Sequence, residues 1–260
     1  MSVHNGMRHR PLLRISANAH DSARSRLLVC FHPAGAGAST FAGWPVEDEL
    51  HADLARVQLK GREDRHAERL DDTLPALSDE IARALDRTGH RDLVLFGHSM
   101  GGTLAWWVAA ALWQRHSRHC RLIVSAQAPG LPAAVRSWRR GHLPAWYASL
   151  GEPWPAALDD PEMQAILCAT LDADIAWMRR EFQHPLPGPL PLIVDGLAWE
   201  ADKLVCPQDM LRWQAAITGR FTLHTLPGGH LELCARPASA LALLRRLLDE
   251  DCRHVLASNA

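Results

Sequence analysis

Four apolar residues, Leu93–Phe96, run directly into Gly97-His98-Ser99-Met100-Gly101, and a helical pattern opens at once over Thr103–Gln114. An apolar run this short predicts a strand buried on both faces. A strand that passes into a helix over so few residues must turn sharply. The positions two places either side of Ser99 must then be small, as Gly97 and Gly101 are. Buried strand followed by helix is the repeating unit of a parallel sheet, and the rest of the chain keeps that rhythm. Leu27–Phe31, Leu54–Leu59, Leu122–Ala126, Leu190–Val194 and Phe221–Leu226 read as strands. Asp72–Arg87 and Pro237–Leu248 read as helices with one apolar face, Leu241, Leu244 and Leu248 forming it in the second. The expected fold class is α/β, a mostly parallel central sheet flanked by helices.

One stretch breaks the pattern. Between Leu131 and Pro189 no strand is predicted, and the segment holds Trp138, Trp146, Trp154, Trp177 and the only tyrosine, Tyr147. We expect a helical lid insertion over about residues 131–189, covering the carboxyl ends of the strands, within a single domain spanning residues 1–260. Its aromatics either line a pocket or pack the helices together. A chain of 260 residues buries a core without disulfide or metal. A net charge of -1 without a long run of like charges gives no electrostatic case for nucleic acid or a membrane as partner. The six cysteines are scattered, without metal-binding spacing, and read as reduced thiols of a cytoplasmic protein. Met1–His20 lacks the apolar centre of a secretion signal, and no apolar stretch reaches membrane-spanning length. A monomer is expected.

The turn around Ser99 also carries chemistry. Gly-x-Ser-x-Gly between a strand and a helix presents a serine hydroxyl at a helix N-terminus, where partial positive charge favours a developing anion. Ser99 is therefore the candidate nucleophile of a serine hydrolase. In such enzymes the chain order is serine, acid, histidine. That order places the base late, at His230 in Leu226-Pro227-Gly228-Gly229-His230, in a loop after the last strand. His224 lies inside that strand and reads as structural. For the acid, Asp195 sits at the end of the strand Leu190–Val194, Asp202 lies further out, and Glu200 stands between them; periodicity does not choose. Two backbone N–H groups must face the oxyanion of acyl transfer. Met100, after the nucleophile, supplies one; Ala34, in the small-residue loop His32-Pro33-Ala34-Gly35-Ala36-Gly37, supplies the other. That loop lacks both G-x-G-x-x-G and the Gly-Lys-Ser/Thr of a phosphate loop. No metal and no bound cofactor are expected.

With these residues placed, the sequence resembles the type II thioesterases, stand-alone α/β-hydrolases associated with nonribosomal peptide and polyketide synthases. Phe31-His32-Pro33-Ala34-Gly35 with Ala38-Ser39-Thr40-Phe41 is similar to the family's first block, with His-Pro where the family usually has Pro-His. Gln58-Leu59-Lys60-Gly61-Arg62 with Arg65 is similar to its P-G-R-x-x-R stretch, Lys60 replacing proline. Phe96–Gly101 matches its F-G-H-S-M-G, and Leu171-Asp172-Ala173-Asp174 is similar to the block after its lid. Trp213, Thr218-Gly219 and Pro227-Gly228-Gly229-His230 match its closing block. The resemblance implies an α/β-hydrolase fold and Asp202 as the acid, from its spacing to Trp213 and His230, although the loop Gly196–Asp202 looks longer than the family's pattern. It implies hydrolysis of acyl thioesters from the phosphopantetheine arms of acyl or peptidyl carrier domains, clearing stalled or aberrant acyl groups. The same residues would serve an esterase or lipase acting on free small molecules. A non-catalytic scaffold that binds carrier domains is the distant alternative.

Overall fold

The computed structural model describes residues 11–16 and 26–258. The expectation about a leader at Met1–His20 falls largely outside these. Seven strands form one sheet: β1 (Leu13–Ile15), β2 (Arg26–Phe31), β3 (Asp53–Val57), β4 (Asp92–His98), β5 (Arg121–Ser125), β6 (Ile193–Trp199) and β7 (Arg220–Leu226). Their spatial order is β1-β3-β2-β4-β5-β6-β7. Every pair is parallel except β1 with β3, and β1 is the one strand that the sequence pattern did not announce. The helices are α1 (Val46–Glu49), α2 (Leu74–Asp86), α3 (Met100–His116), α4 (Ala133–Ser137), α5 (Leu143–Leu150), α6 (Pro161–Glu181), α7 (Pro207–Met210), α8 (Glu232–Ala235) and α9 (Ala238–Ser258).

The central strands are buried on both faces, so Leu27–Phe31 of β2 and Leu93–Phe96 of β4 are continuously apolar. Leu27, Val29 and Phe31 of β2 pack with α2, α3 and part of the segment between β5 and β6. Leu28 and Cys30, on the opposite face, pack with Phe41, Trp44 and the leucines of α9. Side-chain alternation along one strand thus feeds two cores. Thr73 caps α2 by accepting from the Ala76 N–H, and Asp160 caps α6 by accepting from the Glu162 N–H; Pro75 and Pro161 sit in the first turns, where no N–H is missed.

One predicted strand is misplaced. The expected Leu190–Val194 begins at Ile193 and runs on to Trp199. Pro189 and Pro191 have no N–H to give to a ladder, and Leu190 makes only an isolated bridge to Ile217. Asp195 and Gly196 therefore lie inside the strand, paired with Ile123 and Val124 of β5. Asp195 does not end the strand, and only Glu200 and Ala201 separate its last residue, Trp199, from Asp202.

The segment from Leu131 to Pro189 carries α4, α5 and α6 and, among the described residues, no strand. Trp138 and Trp177 are buried; Trp138 packs edge-on against Trp146, and Tyr147 against Trp154. The aromatics thus hold these helices together. No helix among the described residues is long and apolar enough to cross a membrane, and the described cysteines, Cys30, Cys120, Cys168, Cys206 and Cys234, are free thiols.

Candidate active site

Ser99 stands between the end of β4 and the first residue of α3, with φ 52° and ψ -125°, a conformation that few non-glycine residues adopt. Its N–H donates to the Ser125 carbonyl of β5 at 2.8 Å, and its own carbonyl accepts from Gly102 at 2.8 Å. The flanking glycines are required by contact. A Cβ on Gly97 would strike the Gly101 carbonyl, and one on Gly101 would strike the Phe31 and His32 carbonyl oxygens. The elbow is thereby pressed against the loop that follows β2.

Three side chains meet at this elbow. His230 Nε2 lies 3.0 Å from Ser99 Oγ, and His230 Nδ1 lies 2.8 Å from Asp202 Oδ2. The other Asp202 oxygen accepts from the Leu204 and Val205 N–H groups at 2.7 and 3.1 Å. Backbone donors thus orient the carboxylate and leave one oxygen for the imidazole. Both His230 and Asp202 are buried, while Ser99 is half-buried. Asp202 follows the end of β6 closely, and His230 follows the end of β7, so all three groups gather at the carboxyl edge of the sheet.

The competing candidates lie elsewhere in the hydrogen-bond pattern. Asp195 is bound within the sheet to Arg121, at 2.7 Å, and to His224 Nε2, at 2.8 Å. His224 is spoken for by that carboxylate. Glu200 is exposed.

The loop after β2 is shaped by charges deep in the protein. Asp174 of α6 is wholly buried and accepts from the Gly35 N–H at 2.8 Å. It also forms a two-point pair with Arg62, at 2.7 and 2.5 Å. Arg62 directs its remaining donors to the Ala36 and Lys60 carbonyls. Every guanidinium donor is used, which is what a buried arginine needs. With the Gly35 N–H donated to Asp174 and the Ala36 N–H to the Pro33 carbonyl, the Ala34 N–H has no hydrogen-bond partner among the described residues. The segment between β5 and β6 also reaches the histidine loop, where Glu152 accepts from the Leu231 N–H at 3.0 Å.

Two further histidines line this region. His32 Nδ1 donates to the Pro33 carbonyl, and its Nε2 has no partner among the described residues. Burial, helped by the Arg62 charge, lowers its pKa to about 4. His98, inside the Gly-x-Ser-x-Gly motif, is buried between Ser125 and the His230 carbonyl, and burial lowers its pKa to about 3. Arg62, Asp174 and Glu152, like the contacts of His98, were not readable as site features from spacing. Among the described residues no cluster of side chains has the make-up of a metal site.

A thioesterase domain model matches residues 26–249. The AMB antimetabolite synthetase AmbE of Pseudomonas aeruginosa is 30% identical over 237 residues, 88% of this chain, and the chain spans only 11% of that synthetase. The gramicidin S biosynthesis protein GrsT of Aneurinibacillus migulanus is 27% identical, with 84% of this chain and 87% of GrsT covered. Among solved structures, the RedJ thioesterase of the prodiginine biosynthetic pathway in Streptomyces coelicolor is 34% identical with a TM-score of 0.74, covering 88% of this chain and 86% of RedJ. With this match over most of its length, the chain belongs to the thioesterase family and is an α/β-hydrolase-fold enzyme of the kind that cleaves thioesters.

Proposed function

We propose that this protein is a type II thioesterase that hydrolyses acyl groups from the phosphopantetheine arms of carrier domains in nonribosomal peptide or polyketide biosynthesis. The observation that carries the reading is the continuous line of hydrogen bonds from Asp202 through His230 to Ser99 at the carboxyl edge of a thioesterase-family sheet. The comparisons support a biosynthetic setting: GrsT is named for gramicidin S biosynthesis and RedJ is a thioesterase of the prodiginine biosynthetic pathway.

In the proposed mechanism His230 Nε2 takes the Ser99 proton as Oγ attacks the thioester carbonyl carbon. The tetrahedral oxyanion is received by the Ala34 and Met100 N–H groups. Collapse breaks the C–S bond, and the departing pantetheine sulfur takes the proton from His230. A water then attacks the acyl-Ser99 ester, giving its proton to His230, and collapse returns that proton to Ser99 Oγ with release of the free acid. Asp202 holds the Nδ1–H and stabilises the imidazolium of each half-reaction. These residues perform the reaction without a cofactor; the phosphopantetheine arrives on the substrate. We place the protein in the cytoplasm, working as a monomer on carrier domains, with the segment 131–189 as a lid over the acyl chain.

The test is Ser99→Ala. Turnover of an acyl-carrier substrate should fall by about 10⁴-fold or more with the fold retained by circular dichroism. A fluorophosphonate should label wild type at Ser99 and leave the variant unlabelled. Retained activity in folded Ser99→Ala sinks the assignment, and faster turnover of nitrophenyl esters than of acyl-carrier would favour a free-ester hydrolase.

A further inference from the structure

We infer that His98 is a positioning residue: its imidazole holds the His230 backbone in place through a fixed relay that runs Trp199, Ser125, His98, His230. The inference rests on the reading of His230 as the base.

The direction of each hydrogen bond follows from the atoms. His98 Nε2 lies 2.8 Å from the His230 carbonyl oxygen, which only accepts, so Nε2 carries the proton. The neutral ring then presents a lone pair at Nδ1, and Ser125 Oγ, 2.9 Å away, must donate to it. The Ser125 oxygen in turn accepts from Trp199 Nε1, which can only donate, at 3.0 Å. Three bonds point the same way, each member polarising the next. With the ring neutral, no other arrangement of protons satisfies all four groups.

The relay is mounted on rigid ground. His98 ends β4, Ser125 ends β5 and Trp199 ends β6, three neighbouring strands, with His98 and Ser125 directly paired in register. All three side chains are fully buried. Burial is the main force keeping the His98 ring neutral, aided by the neighbouring His230. The loop it steadies is Pro227-Gly228-Gly229-His230, which has a left-handed glycine at Gly228. Other bonds hold that loop on either side, from Ala201 N–H to the Gly228 carbonyl and from Leu231 N–H to Glu152. Among the described residues, His98 alone holds the His230 carbonyl. Asp202 fixes the far end of the His230 ring, and His98 fixes the backbone from which the ring projects. Together they set where Nε2 meets Ser99 Oγ.

The geometry suggests a pair of variants that differ in reach alone. The side-chain amide nitrogen of His98→Gln falls near the place of Nε2, whereas His98→Asn is one methylene too short. The purified full chain is assayed with a small soluble acyl thioester, with active sites counted by fluorophosphonate. Per active site, His98→Asn should lose about 10²-fold in kcat with KM within about 3-fold, and His98→Gln should stay within about 5-fold of wild type, because a small misplacement of a reacting group costs this much. Ser125→Ala should fall between them. The acid limb of kcat/KM should move in His98→Asn, since a displaced His230 meets Asp202 differently, and stay in place in His98→Gln. A histidine that only fills space would lower thermal stability and leave kcat and the acid limb of the counted sites alone. Equal kcat per site in the Asn and Gln variants overturns the proposal. Should His98→Asn not fold, nitrogen-15 spectra of wild type decide: a neutral Nε2–H ring that does not titrate between about pH 5 and 9 is expected, and an Nδ1–H or titrating His98 overturns it. A wild type that neither labels at Ser99 nor cleaves thioesters overturns the parent reading and this one together.

Discussion

Asp195 and Asp202 are both buried beside a histidine, and their other partners tell them apart. Asp195 already faces a permanent cation, Arg121, with which it forms a buried pair. Asp202 faces two backbone N–H groups and, among the described residues, no arginine or lysine, so in the proposed mechanism its charge is available to the imidazolium formed during turnover. Asp202→Asn is therefore expected to lower kcat by about 10⁴-fold with little loss of stability. Asp195→Asn breaks the buried pair with Arg121 and should cost roughly 3 kcal/mol of stability, with kcat of the folded fraction nearly unchanged. Urea unfolding beside single-turnover kinetics separates the two, and a reversal of the two patterns would falsify the assignment. A second expectation concerns acid. His98 and His32 have folded pKa values of about 3 and 4, below the ordinary 6.5. The unfolded chain thus binds more protons than the native one as pH falls below 6.5. These two groups cost nothing above that pH, and each removes stability at ~1.4 kcal/mol per pH unit between 6.5 and its folded value. Unfolding free energy measured from pH 7 down to 4.5 should decline along this slope, and His98→Gln should make the decline shallower. An unchanged slope would mean that His98 is charged in the native protein.

Most of the sheet was legible in the sequence because burial on both faces leaves short continuous apolar runs between turn residues. Leu93–Phe96 and Leu27–Phe31 fall inside β4 and β2 as read. The strand carrying Asp195 was not, because the apolar pattern begins at Leu190 while the ladder begins beyond Pro191, and hydropathy does not register a missing N–H. The glycine-flanked motif led to Ser99 and chain order to His230, whereas the proposed acid came from resemblance: spacing does not show which aspartate has an arginine at its side. Asp174 offered a signal that went unused. Like Glu181, it lies on the apolar stripe Leu171, Ile175, Met178 of α6, and a charge on a buried stripe calls for a buried partner, here Arg62. The same helix bears on mobility. Its second half is built into the body of the protein: Trp177 donates to the Asp72 carbonyl, Glu181 accepts from the Leu74 N–H, and Asp174 holds Arg62 and Gly35. Hydrogen exchange should therefore divide the segment 131–189, with α4 and α5 exchanging well before the strands around Ser99 and with Leu171–Glu181 exchanging late. Uniformly fast exchange across α6 would mean that the entire segment opens as one piece.

At the scale of the molecule, the proposed function asks how a substrate as large as a carrier domain would be met by a protein with a net charge of -1. No broad basic field steers it, so any electrostatic help must be local. Arg136, Arg139 and Arg140 are exposed at the start of the segment that borders the site, on and just after α4. Arg136 leans on the Leu131 carbonyl and Arg140 on Asp172, contacts at the surface that cost little to exchange for a partner's carboxylates. Charges on the rim of an interface act mostly on association rate and its salt dependence. Replacing the three arginines by serine should raise KM for an acyl-carrier substrate and weaken the salt dependence of kcat/KM. Turnover of a small soluble thioester should stay near wild type, because that substrate has no acidic surface to meet. The paired substrates make the outcomes distinct. Equal losses on both would mean that the arginines hold α4 in place through contacts such as that of Arg136 with Leu131. No loss on either would put carrier docking on another face, and the exposed Met163 and Ile166 of α6 would be the next residues to replace.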